Sequence, residues 1–77
     1  MWEFNINIHS FQQVRDFVAL AEEQAFEVTV GNDHQRINGK DLMGMFSLEF
    51  SRSLNVTMRC TEEEFLQFRQ KVEAILA

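Results

Sequence analysis

The stretch of sequence that most narrows the choice of fold is Asn38-Gly39-Lys40-Asp41-Leu42-Met43-Gly44-Met45-Phe46-Ser47-Leu48. Aspartate is among the residues most favoured at the N-cap of an α-helix, so Asp41 predicts a short helix from Leu42 to about Leu48. Gly39 and Lys40 lead into this cap. The segment therefore predicts a short helix that begins after Asp41.

Alternating polar and apolar residues predict strands on the N-terminal side of this segment. The alternation covers residues 2–8 and 26–30, and its period of two is that of a strand with one buried face. Residues 31–33 are turn residues that tolerate left-handed backbone angles, and residues 35–38 predict a short edge strand. Between the first two strands, an apolar stripe at helical spacing predicts a helix. This stripe consists of Phe11, Val14, Phe17, Val18 and Ala21.

Both long helices have a sequence signal for their first turn. Ser10 with Gln13 suggests a capping box for the first helix, and Thr61 with Glu64 suggests one for the last. Alternation over residues 54–60 predicts a fourth strand before the last helix. That helix has apolar positions at Phe65, Phe68, Val72, Ile75 and Leu76.

The predicted order of elements is βαββαβα, within a single domain of residues 1–77. Three of the strands have one polar and one apolar face, which indicates a sheet covered on one side only. We therefore predict an α+β fold, an open-faced sandwich with a four-stranded antiparallel sheet and three helices on one face.

Composition excludes several classes of function. The net charge of −5 disfavours nucleic acid and anionic membranes as partners, because both require a basic surface. A single cysteine forms no internal disulfide, and no apolar run approaches the roughly 20 residues of a membrane span. The N-terminus shows no secretion signal. We expect a cytoplasmic protein.

The central segment resembles the regulatory-site segment of the phosphocarrier protein HPr family of the bacterial sugar phosphotransferase system. Phe17-Val18 supports the resemblance, and the order of elements agrees with it on both sides. The resemblance implies the open-faced sandwich fold and a bacterial source. It also implies a phosphorylatable histidine at the start of the first helix, with an arginine two residues later.

This chain does not reproduce that pair. Alignment on Phe17-Val18 places Ser10 at the histidine position, Gln12 at the arginine position and Gln13 at the position of the usual proline. The connection between strand and helix is also several residues shorter than is usual in the family. His9 is the alternative phosphoacceptor, and Arg15 is the nearest cation on the helix. We predict that His9 is a solvated residue at the end of the strand.

The position of the family's regulatory serine is occupied here by Asp41. Phosphorylation of that serine creates a signalling partner in Gram-positive relatives. A fixed carboxylate imitates phosphoserine only in part, because phosphoserine carries up to about −2 and three acceptor oxygens. Two hypotheses follow: Asp41 acts only as a helix cap, or it acts as both cap and mimic.

The resemblance also implies a docking surface. Leu42, Met43 and Phe46 correspond to exposed docking residues of the family, and Phe50 in the following loop extends them. Met and aromatic side chains are favoured at interaction surfaces. The alternative is that the short helix fills the core, with Met45 and Leu48 directed inward.

The leading hypothesis is a non-catalytic, HPr-like interaction module that binds a phosphotransferase component, a regulator or a second copy of itself. The rival is an active phosphocarrier that uses His9, and a third reading is a divergent domain with only ancestry in common. His34 lies near a turn and is not predicted to be functional. Two histidines without neighbouring ligands predict no metal site, and we predict no cofactor.

Overall fold

The computed structural model describes residues 1–77 and has the predicted order of elements, βαββαβα. No helix in it is both long enough and apolar enough to span a bilayer. The strands are β1 (Trp2–Ile6), β2 (Val28–Gly31), β3 (Arg36–Asn38) and β4 (Leu54–Met58). The helices are α1 (Phe11–Glu22), α2 (Leu42–Ser47) and α3 (Glu62–Leu76).

The four strands form one antiparallel sheet in the order β1-β4-β2-β3. Phe4 lies opposite Val56, Val56 opposite Val30, and Val30 opposite Ile37. Because alternate residues of a strand point to opposite faces, this apolar row lies on one side of the sheet. The helices cover that side and leave the other side polar. The predicted α+β open-faced sandwich is confirmed.

The core is made of apolar side chains alone, with seventeen of them buried and no buried polar residue. Phe68 of α3 is fully buried at its centre. Its ring centroid lies 6.3 Å from Phe4, 6.1 Å from Phe17 and 5.8 Å from Phe26, each in an edge-to-face arrangement. Edge-to-face packing is the favoured geometry for aromatic pairs. Because Phe68 contacts both Phe17 of α1 and Phe4 of β1 in this way, α3 joins α1 to the sheet.

Three strands differ from the alternation: β1 and β4 end two residues earlier, and β2 begins two residues later. Phe26 precedes β2 and packs half-buried against Phe68, while Cys60 follows β4 and accepts a hydrogen bond at its carbonyl oxygen from the Trp2 indole nitrogen at 3.1 Å. Ile8 is buried but lies beyond β1. At these positions the apolar side chains still contact the core, so the alternation continues in the sequence. The backbone no longer pairs with a neighbouring strand there.

The turn between β2 and β3 forms without left-handed backbone angles, contrary to the prediction. The Asn32 side chain supplies the turn instead, since its Oδ1 accepts from the backbone nitrogens of His34 at 2.8 Å and Gln35 at 3.0 Å. An Asn side chain that binds the backbone two residues later replaces a backbone turn. Gly31 is required for a steric reason, because a Cβ there would lie 2.3 Å from the Gln35 carbonyl oxygen.

Candidate protein-docking surface

The first turn of α1 is closed by its own side chains. Ser10 is the N-cap residue, and its hydroxyl accepts from the Gln13 backbone nitrogen at 3.2 Å. The Gln13 side-chain oxygen accepts in return from the backbone nitrogen of His9, at 2.7 Å. The predicted Ser10–Gln13 partnership is present, but the return bond reaches one residue further back than in a standard capping box. A hydroxyl and an amide therefore occupy the start of this helix.

His9 lies in the connection between β1 and α1, three residues after the strand ends, where its side chain is exposed and forms no hydrogen bond or ion pair. It borders a small hollow between β1 and the last turns of α3, beside Glu73 and Leu76. Glu73 is already paired, since its Oε1 lies 2.8 Å from Arg69 Nε. Arg15 is exposed on α1 and forms no ion pair. No Lys or Arg lines the hollow beside His9, so that hollow supplies no cation to neutralise a phosphorylated ring.

The other histidine and the cysteine lie apart from this helix start. His34 is exposed in the β2–β3 turn. No three residues among His, Cys, Asp and Glu come together in a metal-binding arrangement. Cys60 is half-buried, and burial together with the nearby Glu64 carboxylate raises the pKa of its thiol. A raised pKa keeps the thiol protonated and weakly nucleophilic.

The start of α2 differs from the prediction in one respect. Asp41 is the N-cap residue, as expected, but its carboxylate forms no hydrogen bond to the helix. The Asp41 carbonyl oxygen accepts the first intrahelical bond, from the Met45 backbone nitrogen at 2.9 Å, as it does at any N-cap position. The preceding Asn38 satisfies the nitrogens of Lys40 and Asp41 with its side-chain and main-chain oxygens. The Asp41 carboxylate is thus an exposed charge that no other group in the chain binds.

The carboxylate lies alongside the first turn of α2, close to Gly44. A Cβ added to Gly44 would lie 3.0 Å from Asp41 Oδ2, which is a tight contact with the end of a flexible side chain. A larger residue at position 44 would therefore shift the carboxylate slightly, and glycine leaves it room beside the helix.

α2 directs Met45 and Leu48 inward, as the core-filling alternative expects, whereas of the three expected docking residues Met43 alone is exposed. Met45 is buried and Leu48, the C-cap residue, is also buried. Met43 is 76% exposed, while Leu42 and Phe46 are half-buried. The short helix contributes to the core with one side and leaves the other apolar side at the surface.

Phe11 joins this surface, although the sequence predicted it for the buried stripe of α1. It is 66% exposed, and its ring packs edge-to-face on Phe46 at 5.6 Å and on Phe50 at 5.4 Å. As the first residue of α1, it lies beside α2 and the following loop rather than over the sheet. The apolar patch comprises Phe11, Leu42, Met43, Phe46 and Phe50. One feature of the sequence points to its exposure: Phe11 is the first residue of the helix, and the buried part of the apolar stripe begins at Val14.

Comparison with family models identifies the relatives of the chain. The model described as the PTS HPr component phosphorylation site matches residues 11–77. The chain belongs to the HPr family. The matched region begins with α1, so β1, His9 and Ser10 precede it.

Solved structures of HPr proteins share the fold. HPr-C-His from Thermoanaerobacter tengcongensis superposes with a TM-score of 0.78 at 23% identity, covering 99% of this chain and 91% of that protein. HPr from Bacillus anthracis strain Ames gives 0.74 at 14% identity, covering 99% and 96%. Crh, the catabolite repression protein of Bacillus subtilis, gives 0.65 at 20% identity, covering 92% and 86%, and its structure is a domain-swapped dimer. At these identities the likeness establishes the fold alone.

Comparison with curated proteins gives no match. The match to the family model is therefore what establishes that the chain belongs to the HPr family.

Proposed function

We propose that this HPr-family protein is a non-catalytic interaction module related to the sugar phosphotransferase system, and that it docks on a partner protein through the apolar patch. The observation that carries the proposal is the start of α1, where the Ser10 hydroxyl binds the Gln13 nitrogen at 3.2 Å. The family resemblance places the phosphoacceptor histidine at this position. The module then works by binding rather than by carrying phosphate, in the cytoplasm of a bacterium.

The chemistry of phosphohistidine supports this proposal. A helix N-terminus stabilises a phosphoryl group with free backbone N–H groups and a positive dipole. In this chain the Gln13 N–H is already bound to Ser10 Oγ, and His9 precedes the helix and borders a hollow that no Lys or Arg lines. Both the acceptor ring and its clamp are therefore missing from the place where the dipole acts.

The composition of the patch supports docking. Aromatic residues and Met are enriched where proteins bind each other, because they bury large areas and adapt to the partner. Three of the eight phenylalanines of this chain lie in the patch, although the core of a small protein needs every aromatic residue it has. An exposed cluster of this kind on a small chain favours an interaction surface.

Asp41 deepens the proposal at the edge of the patch. Since its carboxylate is free of the cap, a partner that recognises phosphoserine would find a fixed negative charge there. Asp41→Asn keeps the shape and removes the charge. We expect weaker partner binding in this variant. Unchanged binding would contradict mimicry and leave Asp41 only its N-cap position.

A phosphorylation assay tests the non-catalytic role. The chain is incubated with the general phosphotransferase enzyme and labelled phosphoenolpyruvate, and acid-labile label is measured by mass. We expect no label on the wild-type chain, with an authentic HPr as positive control. Label that is lost in His9→Ala but retained in His34→Ala would overturn the proposal and establish His9 as the phosphoacceptor.

A binding assay tests the patch itself. Met43→Ser and Phe46→Ser are compared with Leu66→Ser, which removes an apolar side chain that is 54% exposed on α3. Each variant is titrated against the general phosphotransferase enzyme and, by sedimentation, against itself. We expect the patch variants to weaken the association at least about tenfold, with Leu66→Ser unchanged. Equal loss in all three variants would contradict docking through the patch.

A further inference from the structure

A polar hollow lies on the open face of the sheet, on the side away from the helices and the apolar patch. Its volume is about 710 Å³, and no hydrophobic residue lines it. Small-molecule pockets commonly measure roughly 300–1,000 Å³, but most are lined by apolar side chains. A hollow of this size with a wholly polar lining is suited to a hydrophilic ligand.

The register of the sheet builds the floor of the hollow. Asn5 lies opposite Asn55, Asn55 opposite Gly31, and Gly31 opposite Arg36, which makes one row across all four strands. This row alternates with the apolar row that faces the helices, so its side chains point to solvent. The floor is therefore made of two amides, one bare backbone position and one guanidinium.

Gly31 has no side chain and therefore leaves room for the Arg36 side chain of β3 to pass over β2 towards β4. A Cβ on Gly31 would lie 2.8 Å from Arg36 Cγ, so the aliphatic part of the arginine rests directly on the glycine. The guanidinium continues towards β4, where Nη2 donates to Thr57 Oγ1 at 3.1 Å. One hydrogen bond thus positions the group over the sheet and leaves its other N–H donors unused.

A second guanidinium reaches the hollow without any partner. Arg52, in the loop before β4, lines the hollow and forms no hydrogen bond or ion pair. Asp33 and Glu49 line the same hollow, yet neither pairs with an arginine, since Arg69–Glu73 is the one salt bridge in the chain. Arg36, with one hydrogen bond to Thr57, and Arg52, with none, line the same concave site without an ion pair. Arginine is a common phosphate ligand because its guanidinium presents a planar fork of donors.

The remaining groups restrict the ligand further. Asn5, Asn55 and the two carboxylates can accept hydrogen bonds from hydroxyl groups. The carboxylates also repel a second anionic group. His34 is the one aromatic ring in the lining, and no Phe, Tyr or Trp side chain is present to stack on a nucleobase. We propose that the hollow binds a small monophosphate ester rich in hydroxyl groups, such as a sugar phosphate, with the phosphate on Arg36 and Arg52.

Titration of the ¹⁵N-labelled chain with glucose 6-phosphate tests the proposal by nuclear magnetic resonance. We expect the amide signals of Gly31, Arg36, Ser53 and Asn55 to shift. Glucose should give no shift, and inorganic phosphate should bind at least about tenfold more weakly. An absence of shifts at about 10 mM glucose 6-phosphate, or shifts confined to the apolar patch, would overturn the proposal.

Matched variants separate recognition from folding. Arg52→Gln alters an exposed loop residue that makes no hydrogen bond, so the fold should persist, and we expect binding to weaken at least about tenfold. Arg59→Gln removes an exposed arginine outside the hollow and should bind as the wild type does. Equal affinity in Arg52→Gln and wild type, or equal affinity for inorganic phosphate and glucose 6-phosphate, would refute the assignment. Met43→Ser should bind glucose 6-phosphate normally, which separates this test from that of the docking surface.

Discussion

Helices α2 and α3 pack on the same face of one sheet, but they are held in place by different forces. α3 has fifteen residues, a complete capping box and three glutamates in its first turn. It buries Phe65, Phe68 and Val72. α2 has six residues, no side-chain cap and one buried residue, Met45. Local sequence and core packing both define α3, whereas α2 depends on the chain around it.

From this difference we expect α3 to contribute mainly to the stability of the fold and α2 mainly to binding. Thr61 Oγ1 accepts from Glu64 at 3.1 Å while Glu64 Oε1 accepts from Thr61 at 3.0 Å, so both first-turn donors are satisfied by the helix itself. At α2 the Asp41 carboxylate is left free and Met43 faces solvent. Sites where local rules are incompletely met are the sites where proteins usually place function. We therefore expect substitutions in α3 to affect folding and substitutions on the exposed side of α2 to affect binding.

The largest expected effect is that of Phe68→Ala in α3. Removal of a fully buried phenylalanine costs about 3–5 kcal/mol of unfolding free energy, which is most of the stability of a small domain. Urea denaturation followed by circular dichroism measures the loss. Leu66→Ala, on the exposed side of the same helix, is the control and should stay within about 0.5 kcal/mol of the wild type. A mild effect of Phe68→Ala would show that α3 does not anchor the core.

The next largest effect is expected at the start of α3. Thr61→Ala removes the hydroxyl of the capping box and should cost about 1 kcal/mol. For a chain of this size, that loss corresponds to a fall in Tm of roughly 4–8 °C. Thr61→Ser retains the hydroxyl and should recover most of the stability in the same thermal scan. Failure of serine to restore it would argue against the hydrogen bonds as the cause.

A smaller effect is expected at the start of α2. Because the Asp41 carboxylate forms no hydrogen bond to the helix, Asp41→Ala should change the unfolding free energy by less than about 0.5 kcal/mol. Denaturation of Asp41→Ala and Thr61→Ala under identical conditions compares the two losses of unfolding free energy. A loss as large as that of Thr61→Ala would mean that Asp41 does cap α2 in solution, and the contrast between the two helices would disappear.

The smallest effect concerns the thiol beside the first turn of α3. Burial, and then the Glu64 carboxylate, raise the pKa of Cys60 in the folded chain. The protonated thiol contributes stability below the pKa of the unfolded thiol, and this contribution is lost as the pH rises through the folded value. We expect Cys60 to be alkylated by iodoacetamide more slowly than an unstructured cysteine peptide at mildly alkaline pH.

Glu64→Gln tests the electrostatic part of that shift. Glutamine retains the side-chain oxygen that the capping box needs, so the helix start should be preserved. The pH at which alkylation of Cys60 reaches half its maximal rate should move down, and part of the shift should remain because burial is the larger cause. A peptide-like alkylation rate in the wild-type chain would refute the raised pKa.

The candidate site was only partly predictable from sequence. Met43 and Phe46 were named from the resemblance to the family's docking residues, and their docking role stays a prediction. Phe11 was assigned to the core, since helical spacing identifies a stripe but not the point at which the stripe passes the edge of the sheet. Its packing on Phe46 and Phe50 joins residues that are distant in the sequence. The free Asp41 carboxylate was also missed, because propensity predicts an N-cap position and does not show whether the side chain bonds.

The sequence by itself determined the order of the elements, the antiparallel open-faced sandwich and the capping box of α3. Each of these depends on neighbouring residues or on a repeat of fixed period, which can be read along the chain. Tertiary structure alone decided that Phe11 belongs to the apolar patch and that Asn5, Asn55 and Arg36 share one row with Gly31. Such groupings follow from strand register and helix placement, which are set by the packing of residues far apart in sequence.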